Sequence, residues 1–270
     1  MQLIEITSLD APGLEAYARL TEAQLRNRLE PSKGIFIAES LKVIRIALLN
    51  GYTPLSFLGE RRLVEQQIAP MVDGVYDVPV YTGDRDVLSH LTGYELTRGI
   101  LCAMQRPTLP SVEEICAGKR RIAIMDSVVN STNTGAIFRA ATALGIEALL
   151  LTTTCCDPLN RRSARVSMGT VFQMPWCYIP HDGWPDRTMA LLHSMDFKSV
   201  ALALSDKAVA INDSRLKSEK KLAIVMGTEG DGLSRETIDA CDYVAMIPMQ
   251  NGVDSLNVAA AAAVAFWELR

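Results

Sequence analysis

The chain has 270 residues, of which 49% are hydrophobic and 21% are charged. Such a composition excludes a largely disordered protein. At about 100–200 residues per domain the length predicts two domains, with one large α/β unit as the alternative. Lysine and arginine total 27 against 31 aspartate and glutamate residues, so the formal net charge is −4. A protein that coats nucleic acid is strongly basic, so this balance argues against that class but permits a local basic patch.

The six cysteines form no C-x-x-C pair and do not stand at zinc-ligand spacing with the three histidines. We therefore expect no metal site, and we expect reduced thiols in a cytoplasmic protein, because a chain of this size needs no disulfides. The first ten residues, MQLIEITSLD, lack the basic start of a signal peptide. The most apolar stretch, Val258–Trp267, is much shorter than the roughly 20 residues of a membrane-spanning helix.

The first part of the chain alternates apolar runs with helical patterns and predicts a compact α/β domain. The predicted elements are a helix near Leu14–Arg28, a β-α-β unit from Gly34, and strands at Val75–Tyr81 and Ile100–Met104. Two prolines, Pro107 and Pro110, interrupt this pattern. We therefore place an N-terminal domain at residues 1–106, a linker at 107–118 and a C-terminal domain at 119–270.

The second part of the chain alternates strand-like and helical segments more regularly. Strands are predicted at Arg121–Asp126, Ala148–Thr154, Val200–Ser205, Leu222–Met226 and Tyr243–Pro248. Helices are predicted at Gly135–Leu144, Trp184–Met195, Leu233–Ala240 and Ser255–Arg270. Strands that are continuous apolar runs are typical of a parallel sheet covered by helices on both faces, so we predict a doubly wound α/β domain.

Ligands of open α/β sheets bind beyond the carboxyl ends of the strands, so the loops at those ends are candidate functional segments. The first such loop, NSTNTGAIFR, runs from Asn130 to Arg139. Asn133 or Thr134 is a candidate helix cap, and Arg139, about one turn further on, could direct a cation towards the loop. A plain polar loop with a surface arginine is the alternative.

The second candidate loop, MGTEGDG, starts at Met226, and its glycines at Gly227, Gly230 and Gly232 indicate a backbone that lies close to a ligand. The G-x-x-G-x-G spacing differs from the dinucleotide pattern G-x-G-x-x-G, and no G-K-[ST] follows, which argues against a nucleotide-dependent oxidoreductase. Glu229 would repel a pyrophosphate, so a ligand with positive character fits better.

The third candidate loop, IPMQNGVDSLN, runs from Ile247 to Asn257 and leads into the last helix. Pro248 ends a strand, and Ser255 and Asn257 stand at a helix N-terminus. An ordinary strand–loop–helix connection without a functional role could also produce this pattern.

Together the three loops resemble the motifs of the SpoU/TrmH family of RNA 2′-O-ribose methyltransferases. The matching stretches are NTGAIFRA (133–140), MGTEGDGL (226–233) and IPMQNGVDSLNVA (247–259). The stretch VNST (129–132) leads into the first motif where many relatives carry an Asp-Pro-type lead, which leaves the shape of that loop open. FIAES (36–40) and RGILCA (98–103) resemble the family's ribosomal-protein-like substrate-binding domain.

The resemblance implies a C-terminal trefoil knot, S-adenosylmethionine as the cofactor with no metal, and a homodimer. The residues that it implies for cofactor binding are Leu204, Met226, Gly227, Glu229, Gly230, Ile247, Pro248, Met249, Ser255, Leu256 and Asn257. Those that it implies for catalysis are Arg139, Asn133, Glu229, Ser255 and Asn257.

The implied reaction moves a methyl group from a sulfonium to a ribose 2′-hydroxyl, which requires positioning and help in removing a proton from a weak acid. A guanidinium is essentially never deprotonated in proteins, so we expect Arg139 to hold the adjacent phosphate and lower the pKa of the hydroxyl instead of acting as a base.

The candidate RNA contacts are basic residues of both domains, and the group at 161–165 is preferred because it lies on the expected cofactor side. They are Arg28, Lys33, Arg45, Arg161, Arg162 and Arg165, with Lys119–Arg121 as a further basic run. Ribosomal RNA is favoured over transfer RNA by analogy with relatives that carry a similar N-terminal domain. Methylation of tRNA or of an RNA base, and an inactive RNA-binding module, are the alternatives.

Overall fold

The computed structural model describes residues 2–8, 10–27, 29–89, 99–228 and 230–270. The chain divides into two compact units, of which unit 1 comprises Met1–Thr108 and Leu159–Gln173 and unit 2 comprises Leu109–Pro158 and Met174–Arg270. The strands are β1 (Gln2–Glu5), β2 (Ile35–Glu39), β3 (Pro54–Glu60), β4 (Pro79–Gly83), β5 (Ile100–Gln105), β6 (Arg121–Met125), β7 (Ala148–Leu151), β8 (Trp176–Tyr178), β9 (Lys198–Leu202), β10 (Val209–Ala210), β11 (Leu222–Met226) and β12 (Tyr243–Met246).

The helices are α1 (Glu15–Ala18), α2 (Glu22–Arg26), α3 (Leu41–Leu49), α4 (Arg61–Leu63), α5 (Ala69–Val72), α6 (Arg85–Ser89), α7 (Val112–Cys116), α8 (Ser131–Ala143), α9 (Arg161–Val166), α10 (Asp186–Ser194), α11 (Ser214–Ser218), α12 (Arg235–Asp239) and α13 (Val258–Leu269). The two longest of these, α8 and α13, lie in unit 2. A π-helical stretch, Val64–Ile68, joins α4 to α5. None of the helices in the described part of the chain is long and apolar enough to cross a membrane.

Unit 1 is built on a mixed sheet with the strand order β1-β4-β3-β5-β2. Strand β5 is antiparallel to β2 and β3, whereas β4 is parallel to β1 and β3. The single helix predicted near Leu14–Arg28 is instead two helices, α1 and α2. Thr21 begins α2 with a capping box, in which its side chain accepts from the Gln24 amide and the Gln24 side chain accepts from the Thr21 amide.

Residues 159–173, which the sequence places within the 119–270 domain, pack into unit 1. Phe172 lies against Phe36 and Tyr52, with ring centroids 5.6 and 4.9 Å apart. Gly169 has a φ of +88°, and a Cβ added there would lie 3.1 Å from the Ile46 side chain. These apolar contacts hold the segment against β2 and α3, and they depend on tertiary packing that local sequence patterns do not encode.

Unit 2 contains the predicted parallel sheet, with all seven strands parallel in the order β10-β12-β9-β11-β6-β7-β8. The central strands β6, β7 and β11 are buried along their whole length, as continuous apolar runs predict. One face of the sheet packs against α7 and α10 through Ile122, Ile124, Val225 and neighbouring side chains. Helix α13 packs against α8 and β11. The predicted α/β fold is confirmed.

The segment expected to be a linker, 107–118, is partly a helix of unit 2. Helix α7 begins with a capping box, in which Ser111 Oγ accepts from the Glu114 amide at 3.2 Å and Glu114 Oε2 accepts from the Ser111 amide at 2.7 Å. Val112, Ile115 and Cys116 are buried in the core of unit 2. Ser111 and Glu114 form the S-x-x-E pattern of a capping box in the sequence. The prolines just before it, Pro107 and Pro110, led to the prediction of a linker instead.

Candidate active site

All three candidate loops lie at the carboxyl edge of the sheet in unit 2. They follow β6, β11 and β12, and Leu204 follows β9; these four strands are adjacent in the order β12-β9-β11-β6. Strand β11 lies between β9 and β6, although the chain runs from β6 outward through β7 and β8 before it returns. Such a reversal of strand order forms the crevice in which open α/β sheets bind ligands.

Asn130 caps helix α8 and shapes the first loop. Its Oδ1 accepts hydrogen bonds from the amides of Thr132 at 2.8 Å and Asn133 at 3.2 Å. The predicted caps, Asn133 and Thr134, are wrong: both lie inside α8, and the Thr134 hydroxyl and amide donate to the Asn130 carbonyl. Because Asn130 caps the helix, the side chain of Asn133 is available for another partner.

Asn133 and Asn257, two of the predicted catalytic residues, are in direct contact. The Asn257 Nδ2 donates to Asn133 Oδ1 at 3.1 Å, and Asn257 Oδ1 accepts from the Ala259 amide at 3.0 Å. Asn257 therefore caps α13 and binds the buried Asn133 with the two ends of one amide. This contact joins the first and third loops at one point of the sheet edge.

Arg139 lies about two turns into α8, further along than the single turn expected from the sequence. Its side chain is exposed, and within the described residues it makes no hydrogen bond or ion pair with the protein. An exposed guanidinium on the helix that carries Asn133 can bind a phosphate of a substrate, because its planar donors match two phosphate oxygens.

The second loop folds back on itself and requires its glycines. A Cβ added at Gly227 would lie 2.4 Å from the Gly232 carbonyl carbon and 2.6 Å from the Leu233 nitrogen. Gly230 and Gly232 have φ values of +92° and +68°, which favour glycine. An isolated bridge joins Thr228 to Gly232. Glu229, predicted for both catalysis and cofactor binding, lies outside the described residues.

The other residues predicted for cofactor binding differ in how much side chain they present at this edge. Leu204 and Leu256 are 61% and 40% exposed, and Pro248 and Ser255 are also exposed. Ile247 and Met249 are half-buried. Met226 is buried, so its side chain contributes to packing where the loop begins. Its carbonyl accepts a hydrogen bond from the Asp126 amide at 2.8 Å.

Sequence reasoning missed Asp126, which follows β6 beside the second loop. Its Oδ2 accepts from Trp184 Nε1 at 2.9 Å and from Thr237 Oγ1 at 3.1 Å. The sequence feature that points to Asp126 is its place as a single acidic residue at the end of an apolar strand, where a carboxylate requires polar partners.

Two of the predicted RNA-binding arginines neutralise a buried carboxylate within unit 1. Arg161 Nε lies 2.9 Å and Arg165 Nη1 lies 3.3 Å from the two oxygens of Glu39, which is only 2% exposed. Arg162, on the same helix, is exposed, as is Arg45 on α3.

The remaining basic candidates fall into three cases. Lys33 forms an ion pair with Glu30 at 2.7 Å, and Arg28 lies outside the described residues. Arg121 is buried and donates to the backbone carbonyls of Leu269 at 2.6 Å and Glu219 at 2.9 Å. Arg121 therefore holds the C-terminal end of α13 and is not an RNA contact, contrary to the expectation from the basic run.

No group of three or more His, Cys, Asp or Glu side chains within the described part of the chain could hold a metal ion. The six cysteines are free thiols. Burial raises the pKa of Cys177 and Cys241 to about 12, so these two thiols are poor nucleophiles and poor metal ligands.

The parallel sheet and the three loops at its carboxyl edge define an α/β fold of the SPOUT methyltransferase class. Residues 120–267 match the SpoU rRNA methylase family. The chain belongs to that family, and the resemblance noted in its motifs is confirmed.

Similar proteins cover both units of the chain. An uncharacterized tRNA/rRNA methyltransferase of Mycobacterium bovis is 36% identical over 266 residues, which are 98% of this chain and 90% of that protein. A 23S rRNA (guanosine-2′-O-)-methyltransferase, RlmB, of Bordetella pertussis is 31% identical over 160 residues, 59% of this chain and 63% of that protein. The crystal structure of the AdoMet-bound rRNA methyltransferase of Sinorhizobium meliloti superposes with a TM-score of 0.82 at 25% identity, covering 100% of this chain and 98% of that one.

Proposed function

We propose that the protein is an S-adenosylmethionine-dependent RNA methyltransferase that modifies a ribose 2′-hydroxyl, with ribosomal RNA as the favoured substrate. The contact that carries this proposal is the Asn257–Asn133 hydrogen bond, which joins two motif loops beside the helix that presents Arg139. Membership of the SpoU rRNA methylase family and the similarity to the 23S rRNA (guanosine-2′-O-)-methyltransferase of Bordetella pertussis support the ribose 2′-hydroxyl as the acceptor.

The residues at the carboxyl edge fit S-adenosylmethionine. The exposed apolar side chains of Leu204 and Leu256 can pack against an adenine ring. The backbone at Gly230 and Gly232 can approach a ligand closely, because neither residue has a Cβ and nothing lies within 4 Å of the Cβ position. The bound cofactor supplies a methyl group on a positively charged sulfur. Carbonyl groups of the loop suit that charge, whereas a phosphate site would need donors in their place.

Arg139 binds a phosphate next to the target nucleotide and orients the ribose. Its fixed positive charge favours the alkoxide that forms as the 2′-hydroxyl loses its proton to solvent, which lowers the pKa of that hydroxyl. The Asn133–Asn257 pair keeps the first and third loops at a fixed separation, so that the acceptor oxygen meets the methyl group in line. Carbon–sulfur bond cleavage and carbon–oxygen bond formation then occur in one displacement.

The test is methyl transfer by the purified protein from radiolabelled S-adenosylmethionine to ribosomal RNA, followed by alkaline hydrolysis. A 2′-O-methyl group blocks cleavage at its own nucleotide, so label in alkali-resistant dinucleotides is the expected result. Label in mononucleotides indicates base methylation, and label on tRNA alone indicates the alternative substrate.

Calorimetry with S-adenosylmethionine separates an enzyme from an inactive RNA-binding module, which would show no heat of binding. Mapping ribose methylation in total RNA of cells with and without the protein then identifies the nucleotide.

We also propose that unit 1, which corresponds largely to residues 1–106, is the RNA-binding domain, that the methyltransferase domain contains the trefoil knot, and that the protein acts in the cytoplasm. For RNA binding, Lys42 and Arg45 are exposed three residues apart on α3, so they share one face of that helix. For the knot, Arg121 of β6 binds the Leu269 carbonyl, which ties the last helix to the first strand of the sheet. Cytoplasmic location rests on the cysteine usage alone.

A homodimer is proposed on the exposed face of α13. Ala260, Val264 and Trp267 are exposed at i, i+4 and i+7 and form an apolar stripe, at one end of which the Arg270 guanidinium lies over the Trp267 ring, 3.3 Å from its centroid. Trp267→Glu should convert a particle with the mass of two chains into one with the mass of a single chain in light scattering. Val75→Glu, at an exposed apolar position of unit 1, is the matched control. A wild-type protein with the mass of one chain contradicts the proposal.

A further inference from the structure

We propose that Asp126 is a positioning residue for methyl transfer, whose backbone and carboxylate fix both ends of the Gly227–Gly232 loop and thereby the site of the methyl donor. The inference rests on the proposed function, because it assigns Asp126 to the loop that is proposed to bind S-adenosylmethionine. None of the motif matches includes this residue, which precedes the first motif.

The entry of the loop is fixed by the backbone of Asp126. Its amide donates to the Met226 carbonyl at 2.8 Å, one residue beyond the last register pair of β6 and β11. Met226 is the last residue of β11, and Gly227 begins the loop. The first residue of the loop therefore leaves the sheet at a position that is set by Asp126.

The exit of the loop is fixed by the side chain of Asp126. Its Oδ2 accepts from Thr237 Oγ1 at 3.1 Å, and Thr237 is 1% exposed within α12. Ser234 Oγ accepts from the Thr237 amide at 3.1 Å and donates to its hydroxyl at 3.0 Å, which completes a chain of hydrogen bonds through the start of the helix. Because α12 begins two residues after the buried Leu233, this chain sets where the loop returns to the core.

Two further donors hold the carboxylate in one orientation. Trp184 Nε1 donates to Oδ2 at 2.9 Å, and Ser127 Oγ donates to Oδ1 at 3.1 Å. Within the described residues no lysine, arginine or histidine forms an ion pair with Asp126, so the carboxylate is held by neutral donors alone. The carboxylate thus accepts one hydrogen bond from the adjacent Ser127 and two from separate segments, those of Trp184 and Thr237, and it acts as a rigid junction because moving it breaks all three.

The decisive comparison is between two substitutions of the buried Thr237. Thr237→Val keeps the shape of the side chain and removes the hydroxyl that binds Asp126, whereas Thr237→Ser keeps the hydroxyl. We expect Thr237→Val to raise the Kd for S-adenosylmethionine in calorimetry by about tenfold and Thr237→Ser to stay within about twofold of wild type, as loss of one hydrogen bond to a charged group predicts.

The second comparison uses Asp126 itself. In Asp126→Asn the amide oxygen can still accept from Trp184 and Thr237 while the amide nitrogen donates to the Ser127 hydroxyl, so cofactor affinity should be retained. Asp126→Ala should weaken it more than Thr237→Val does, because it removes three hydrogen bonds. Asp239→Asn, which removes an exposed carboxylate of α12, is the control for a change of charge and should bind as wild type does.

A structural role alone would lower the melting temperature without a selective effect on the cofactor. We therefore expect the KM for S-adenosylmethionine to rise in Thr237→Val with kcat nearly unchanged at saturation, measured below the melting temperature of every variant. Thr237→Val and Asp126→Ala proteins that fold and bind S-adenosylmethionine as wild type does overturn the inference alone. A wild-type protein that does not bind S-adenosylmethionine overturns the proposed function, and this inference with it.

Discussion

The side-chain amide of Asn257 donates a hydrogen bond to the side-chain oxygen of Asn133 at 3.1 Å, across 124 positions of the chain. The same side chain also accepts from the Ala259 amide and begins the last helix. One residue thus determines where α13 starts and where the third loop meets the first. The end of the chain is therefore tied to the helix that carries Arg139, and the geometry of the candidate site depends on that tie.

Substitution of Asn257 should separate the cap from the contact with Asn133. In Asn257→Ser the hydroxyl remains a good N-cap but is too short to reach Asn133, so stability should stay near wild type while kcat/KM for methyl transfer falls by about tenfold. Asn257→Ala removes the cap as well and should cost about 1 kcal/mol of stability in addition. Urea unfolding and methyl-transfer assays on the same preparations separate the two effects.

A double-substitution cycle with Asn133→Ala checks the origin of that loss. If the two side chains act through their hydrogen bond, the double variant should lose little more activity than either single variant. Fully additive losses would mean that the two residues serve the reaction independently.

Removal of Arg139 should affect the transfer step and leave the fold intact. The side chain is exposed and lacks a protein partner among the described residues, so Arg139→Ala should not change the melting temperature. Methyl transfer should fall by about 100-fold with the affinity for S-adenosylmethionine unchanged. Arg139→Lys keeps the charge but loses the planar pair of donors, and an intermediate rate is expected. Near wild-type transfer by Arg139→Ala would rule out the proposed role.

Gly227→Ala should abolish the shape of the second loop. The new Cβ would lie 2.4 Å from the Gly232 carbonyl carbon, a backbone atom that cannot move without opening the loop. We expect loss of detectable heat on titration with S-adenosylmethionine, while the melting temperature falls only slightly because the sheet is unaffected. Gly145→Ala is the control for a glycine substitution outside the site, since nothing lies within 4 Å of a Cβ at Gly145 and its φ of +85° restricts the effect to backbone strain.

The arginines of α9 should differ in what they stabilise. Arg161→Ala removes one of two partners of the buried Glu39 and should lower the stability of unit 1 by about 1–3 kcal/mol. Arg162→Ala, at an exposed position, should leave stability unchanged but flatten the salt dependence of RNA binding if its guanidinium contacts a phosphate. Thermal melts and RNA titrations over a salt series provide both readouts. Equal melting temperatures for the two variants would show that the Glu39 ion pair contributes no stability.

Local patterns in the sequence predicted the parts of the site that depend on local chemistry. Apolar runs identified the central strands of unit 2, and the segments that follow β6 and β11 contain Asn133, Arg139 and Gly227. The order of the strands in the sheet could not be predicted in this way. Strand β11 pairs with β9 and β6 over a long distance in the chain, and the periodicity of the sequence does not encode such a pairing. The cap of α8 was misplaced since NSTNT offers several residues that can cap a helix, and only the hydrogen bonds of Asn130 select one.

Charge was the least reliable guide to function. Arg161 and Arg165 form a basic group in the sequence, but in the structure both form ion pairs with the buried Glu39. No local pattern predicts this pairing, because Glu39 is 122 and 126 positions away from them in the chain. The same limit hid Arg121, which donates to backbone carbonyls at the end of α13. A basic residue next to an apolar run is thus as consistent with a buried counter-ion as with a nucleic-acid contact.

Acid sensitivity of unit 2 should depend on Asp242. Burial opposes the charge of this carboxylate, but hydrogen bonds from Lys198 Nζ, the Ser199 amide and His193 Nε2 outweigh it and hold its pKa well below the ordinary value. A carboxylate whose folded-state pKa is depressed contributes stability above its unfolded-state pKa of about 4, and that contribution is lost as the pH falls through the folded-state value.

Asp242→Asn should therefore lower the free energy of unfolding by about 1 kcal/mol at pH 7, a value reduced by the partial exposure of the group. The difference from wild type should persist down to pH 5 and shrink below about pH 4, where the Asp242 carboxylate of the unfolded wild-type chain becomes protonated while that of the folded protein stays ionised. Urea-unfolding midpoints at pH 7, 5 and 3.5 provide the measurement, with the exposed Asp239→Asn as the matched control. A deficit of constant size at all three values would mean that the amide substitution disturbs packing, and that the charge of Asp242 is not what stabilises this end of β9.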